Sequence, residues 1–129
     1  MSLDFILVKY QSPPNSLSEL EADESFGREQ YRALAENLFE SIRWQRDGTG
    51  NTNKDGVFVE LHPSDASLSL WCRGDGDIVA LVNAVALAAH RSDVVVIDVQ
   101  SSELVVPESP LADPAYVEWY RNVLANAGG

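Results

Sequence analysis

Few residues in this chain combine the types and spacing that chemistry requires. His62 and His90 are the two histidines, and Cys72 is the one cysteine. They fall in separate stretches, without the spacing of three or four ligands that a zinc-type site needs, so no metal site is expected. Cys72 alternates with Trp71 and shares a face with Leu68 and Leu70, which suits a small buried hydrophobe. A thiolate nucleophile would need a base and an electropositive setting. His90 closes an apolar helical run, where a cation suits the negative end of the helix dipole. His62 precedes Pro63 in what reads as a turn. No catalytic residue is assigned, and no hydrolase or transferase activity is expected from His62, His90 or Cys72.

Three further patterns imitate known sites. Asn51-Thr-Asn53-Lys-Asp55-Gly56 follows the start of a calcium loop, with oxygen ligands at alternate positions and Gly at the sixth. Asn51 stands where the first Asp belongs and His62 where the bidentate Glu belongs, so an Asn/Gly turn feeding a strand is expected instead. Gly74-Asp75-Gly76 resembles part of a phosphate loop, but Asp75 and Asp77 would repel a phosphate. Asp98, Glu103 and Glu108 could line a cleft, yet no second carboxylate has a fixed spacing to Asp98, and an acid at a strand end usually forms a turn. No cofactor is expected.

These residues must be carried by an α+β arrangement. Leu3 to Val8 reads as a strand, followed by a Ser/Pro-rich loop over residues 11–18. Phe26 to about Trp44 has apolar residues at helical spacing: Tyr31, Leu34, Leu38 and Ile42. Asp47 to Gly56 reads as a loop. Val57–Leu61 and Ser67–Cys72 both alternate and are joined by turn residues, which predicts a hairpin. Asp77 supplies an N-cap for an apolar helix over Ile78–His90. Val94–Ile97 is a β-branched strand, and Glu103 to Val106 extends it or forms a small extra one. Asp113-Pro114 marks the start of a last helix, with Tyr116, Trp119, Tyr120, Val123 and Leu124 on one face. The order β-α-β-β-α-β then α spells a ferredoxin-like sandwich with an additional C-terminal helix. The expected core includes Leu34, Leu38, Ile42, Leu70, Leu81, Val85 and Val96.

The chain has 129 residues and a mass of 14.2 kDa, which suits a single domain over residues 1–129. Its net charge is −11 and its pI is near 4.4. That charge argues against nucleic-acid partners and against anionic membranes. No apolar run approaches the roughly 20 residues of a membrane span. No secretory signal is visible, and one cysteine excludes an internal disulfide, so a reducing, cytoplasmic setting is expected. The acidity is spread: −5 over residues 1–64 (six basic, eleven acidic) and −6 over residues 65–129 (three basic, nine acidic).

The second face of the expected sheet is the most informative surface. Alternation places Phe58, Glu60, Ser69 and Trp71 on it, with His62 beside them. Aromatics among acids and Ser suit an interface with anchors and a polar rim. The competing expectation is that the last helix packs there and buries Phe58 and Trp71. The candidate binding residues are Phe58, Glu60, Trp71, Asp75, Asp77 and Trp119. In a binding protein, Trp71 or Trp119 would anchor the partner, and Glu60, Asp75 and Asp77 would steer it.

Met1-Ser-Leu-Asp-Phe-Ile-Leu-Val8, the acidic loop after it, Leu68-Ser-Leu-Trp-Cys72 and Val94-Val-Val-Ile-Asp-Val-Gln100 give the chain an overall style. In that style it resembles small acidic bacterial immunity proteins of polymorphic toxin systems. Where such proteins tend to read Asp-Pro-Gln, this chain has Asp98-Val99-Gln100. The resemblance implies a cytosolic inhibitor that binds one cognate toxin and performs no chemistry. It implies no particular site residues. A basic toxin domain would be met faster by a chain of charge −11. The alternatives are a small enzyme or ligand-binding domain with a pocket between sheet and last helix, and a homodimer formed through an exposed sheet edge or face.

Overall fold

The computed structural model describes residues 2–111. Their elements are β1 (Leu3–Lys9), α1 (Arg28–Leu38), β2 (Arg43–Trp44), β3 (Gly50–Lys54), β4 (Val57–Pro63), β5 (Leu68–Arg73), α2 (Ile78–His90), β6 (Val94–Asp98) and β7 (Glu103–Val105). The strands form one antiparallel sheet in the order β2-β3-β4-β5-β1-β6-β7. Because every neighbouring pair is antiparallel, β1 and β4 run parallel with β5 between them. For the same reason β5 and β6 run parallel with β1 between them.

Alternation sends one set of side chains toward the helices. Leu3, Phe5 and Leu7 of β1 join Val57, Val59 and Leu61 of β4 and Leu68, Leu70 and Cys72 of β5 in one buried cluster. Tyr31, Leu34 and Ala35 come from α1; Ile78, Leu81, Val82, Val85, Ala86 and Ala89 come from α2. Each large apolar side chain removed from water there contributes about 1.5–3 kcal/mol. The α2 N-terminus is capped as expected: the Ala80 amide donates to Asp77 Oδ1 at 3.0 Å. A second, smaller cluster lies on the other face, where Val8, Tyr10 and Val95 are buried and Leu20, just past a short 3-10 turn at Leu17–Glu19, packs on them.

The α+β class is as expected, and the sheet is wider than expected. The unexpected addition is β2–β3 at one edge, while β7 at the other is the small extra strand that Glu103 to Val106 allowed. The result departs from a plain four-stranded ferredoxin-like order. The helix expected over 26–44 ends at Leu38, where Phe39 turns extended at φ −131°, ψ 142° and buries its ring in the core. Ser41 then takes a left-handed φ of 56°. Ile42 and Trp44 cross over Gly50, where an added Cβ would lie 2.7 Å from Ile42 Cγ2 and 2.8 Å from Trp44 Cε3. Tertiary pairing with β3 thus overrides the helical spacing of Leu34, Leu38 and Ile42. Leu38 and Ile42 are consequently partly buried at the margin of the core, while Leu34, Leu70, Leu81, Val85 and Val96 are in it.

The stretch expected as a loop over 47–56 holds β3, which returns to β4 through Asp55 (φ 52°) and Gly56 (φ 85°). Two successive positive φ values make the tight hairpin turn that Asp-Gly favours. His62 belongs to β4 rather than to a turn. The hairpin of β4 and β5 and the helix over Ile78–His90 are where the pattern puts them. The helix expected from Asp113, Trp119 included, lies outside the described residues.

Candidate functional site

The face of the sheet away from the helices carries a linked group of polar and aromatic side chains. Its register follows from two pairings. In β4 and β5, Phe58 lies opposite Arg73, Glu60 opposite Trp71, and His62 opposite Ser69. In β1 and β5, Asp4 lies opposite Trp71. Trp71 is therefore flanked by a carboxylate on each neighbouring strand. Such directly opposed positions are the strongest side-chain neighbours in a sheet.

The contacts form a chain. The Arg73 guanidinium stands 4.5 Å over the Phe58 ring and places Nη2 3.3 Å from Glu60 Oε1. Glu60 Oε2 lies 3.4 Å from His62 Nε2. The His62 ring lies against Trp71 with centroids 4.0 Å apart and planes inclined by 35°. Trp71 is 42% exposed, although it is among the largest side chains present. Its backing by His62 fixes its position at little further entropy cost on binding. No described element covers it. Asp47 adds a carboxyl held below the usual range by hydrogen bonds from the Thr49 hydroxyl and amide, with the nearby His62 a smaller cause.

Phe58, Glu60, Trp71 and His62 are thus brought together. Asp75 and Asp77 lie past the end of β5, in the connection to α2, and Asp77 is engaged as the cap. Trp119 lies outside the described residues. Two participants were missed. Arg73 and Asp4 share the face by simple alternation, two residues from Trp71 and opposite it. The period-2 pattern that placed Phe58 and Trp71 places both of them too.

The imitated motifs resolve into structural roles. Asn51 and Asn53 occupy alternate positions of β3, about 6.7 Å apart along an extended strand, and do not wrap around a centre. Among the described residues, no group of three His, Cys, Asp or Glu is placed to hold a metal ion. Gly74-Asp75-Gly76 packs backbone to backbone on the β3–β4 turn. The Gly76 amide donates to the Gly56 carbonyl at 3.2 Å, and a Cβ on Gly74 would lie 2.4 Å from that oxygen. Asp98 is buried and accepts from the Gln100 amide at 3.0 Å and the Ser101 hydroxyl at 2.8 Å, which closes the β6–β7 turn. Cys72 is fully buried, and burial, with the charge of Asp4 a smaller cause, pushes its thiol up to about 12. A thiol in that state is a poor nucleophile at neutral pH.

The arrangement can therefore present a supported indole ringed by charge. It can also place an imidazole beside a carboxylate, although no hydroxyl or thiol is hydrogen-bonded to that imidazole among the described residues. No protein-family description, curated protein or solved structure matches this chain.

Proposed function

We propose that the chain is a non-enzymatic, cytoplasmic protein-binding domain that docks on a basic protein through its open sheet face, as an immunity-type inhibitor would dock on its toxin. The exposure of Trp71 at 42%, on the β4–β5 part of that face, away from the Leu20 cover over β1 and β6, carries this reading. An aromatic held by His62 and rimmed by Glu60, Arg73 and Asp4 has the composition of an interface anchor. The total charge of −11 supports a basic partner, since it would speed encounter with a positive surface. We read the central strands β4-β5-β1-β6 with α1 and α2 as a ferredoxin-like core widened at both edges. In that core the helices occupy one face and leave the other for recognition.

The test is capture from the native cell with three baits: the wild-type chain, Trp71→Ala and a distant control, Glu36→Ala. A basic protein retained by the wild type and the control but lost with folded Trp71→Ala supports the reading. Equal retention by all three baits would place binding elsewhere.

A further inference from the structure

Among the described residues, nothing packs over the outer side of α2. Between Ile78 and Ala89, α2 has one polar residue, Asn83. Ala80 and Ala84 are exposed, and Leu87 is 48% exposed. A helix apolar on all sides ordinarily has protein on all sides. Beside this ridge runs a groove of about 410 Å³, with Leu38, Val57 and Leu81 along it and Lys54, Asp55 and Asp77 also lining it.

The last described residue fixes the point from which the remaining chain leaves. Leu111 packs in the helix-side core. Its amide donates to Asn83 Oδ1 at 2.8 Å, and its carbonyl accepts from Asn83 Nδ2 at 3.1 Å. This two-point clamp fixes the chain to α2 on the helix side of the sheet, opposite Trp71. Eighteen residues of the sequence follow Leu111. Those residues carry Tyr116, Trp119, Tyr120, Val123 and Leu124 at spacings of three, one, three and one. Eighteen residues span about 27 Å even at helical rise, against about 20 Å for the 13 residues of α2. The reach is therefore sufficient. The apolar groove also suits an aromatic stripe better than the charged patch of Glu60, Arg73 and Asp4 does.

We propose that residues 112–129 of this chain are the occupant of the groove along α2, so that Trp119 joins the helical layer and the Trp71 face stays open. The small side chains Ala80, Ala84 and Ala88 leave the room that large aromatics require.

Paramagnetic labelling of the full chain tests this. Cys72 is buried and stays unlabelled in the native protein, so a single introduced cysteine carries the spin label. Asn37→Cys marks the helical layer and Val99→Cys, next to Asp4 on the open face, marks that face; both positions are exposed. The label at 37 should erase the Trp119 indole signal, and the label at 99 should erase that of Trp71 and spare Trp119. The reverse pattern, or a Trp119 signal spared by both labels, overturns the proposal. A mixture of spin-labelled chain and isotope-labelled chain covers the remaining occupant. Loss of the Trp119 signal in the mixture means a second copy fills the groove, which also overturns it. Adding Ala84→Glu to the Asn37→Cys chain blocks the groove and should restore the signal. A signal that stays lost would place the segment outside the groove and refute the assignment.

Discussion

Leu70 and Trp71 are adjacent in β5 and point to opposite faces, so truncating each to Ala separates core from surface. Leu70 is 1% exposed and lies opposite Phe5 and Leu61. Removing its side chain loses the transfer energy and leaves a cavity that the sheet cannot close, a cost of about 2–5 kcal/mol. With a urea slope of about 1.5–2 kcal/mol/M for a chain of this size, a 3 kcal/mol loss moves the unfolding midpoint down by roughly 1.5–2 M. Trp71 loses its contact with His62 and its cross-strand neighbours Glu60 and Asp4, pairs worth about 0.2–1 kcal/mol each. Its truncation should cost about 0.6–3 kcal/mol, toward the lower end because the ring is 42% exposed, and should move the midpoint less than Leu70→Ala does. Urea titrations followed by far-UV circular dichroism measure both. A Trp71→Ala chain as unstable as Leu70→Ala would show that Trp71 is a core residue and that the face is covered.

Other outcomes follow from single sites. Cys72 should resist thiol reagents in the native protein at pH 8 and react fully in denaturant, as a colorimetric thiol assay would show. Its thiol pKa is raised on folding from 9.0 to about 12, so the folded state holds the proton that the unfolded state releases in that window. The associated stability is complete below pH 9 and declines as pH rises toward 12, which denaturation at stepped pH would detect against Cys72→Ala. Gly76→Ala would put a Cβ 2.5 Å from the Asp55 carbonyl oxygen and 2.7 Å from Gly56 C, both backbone atoms. The strain should cost about 1–3 kcal/mol in a melting experiment. Asp77→Ala removes the cap on Ala80 and should cost about 1 kcal/mol.

The parts of this fold that depend on local period were legible in the sequence. Alternation over Val57–Leu61 and Ser67–Cys72 gave the hairpin, and with it the shared face of Phe58, Glu60 and Trp71. The capped apolar run over 78–90 gave α2. What escaped depends on contacts between distant residues. Spacing alone continues the first helix through Ile42, and only the glycine at position 50 admits Ile42 and Trp44 over β3. Asn51 to Gly56 looks polar and loop-like because a β-edge hairpin needs few apolar residues. One face of β3 meets water, and the other buries only Gly50 and Thr52. Arg73 and Asp4 escaped because charged residues on a half-exposed strand face are usually solvated. Alternation puts them on the face, but their contacts with Glu60 and Trp71 rest on register across three strands, which one strand's pattern does not contain.

The most direct measurement on the open face is the binding kinetics of the captured partner with the wild-type chain, Trp71→Ala and the charge reversal Glu60→Lys. Loss of the anchor should cost about 2 kcal/mol, seen as a roughly thirtyfold faster dissociation with little change in association. Glu60→Lys should slow association, and the effect should fade as salt rises. Dissociation unchanged by Trp71→Ala in a folded chain would contradict the assignment of the open face as the partner site.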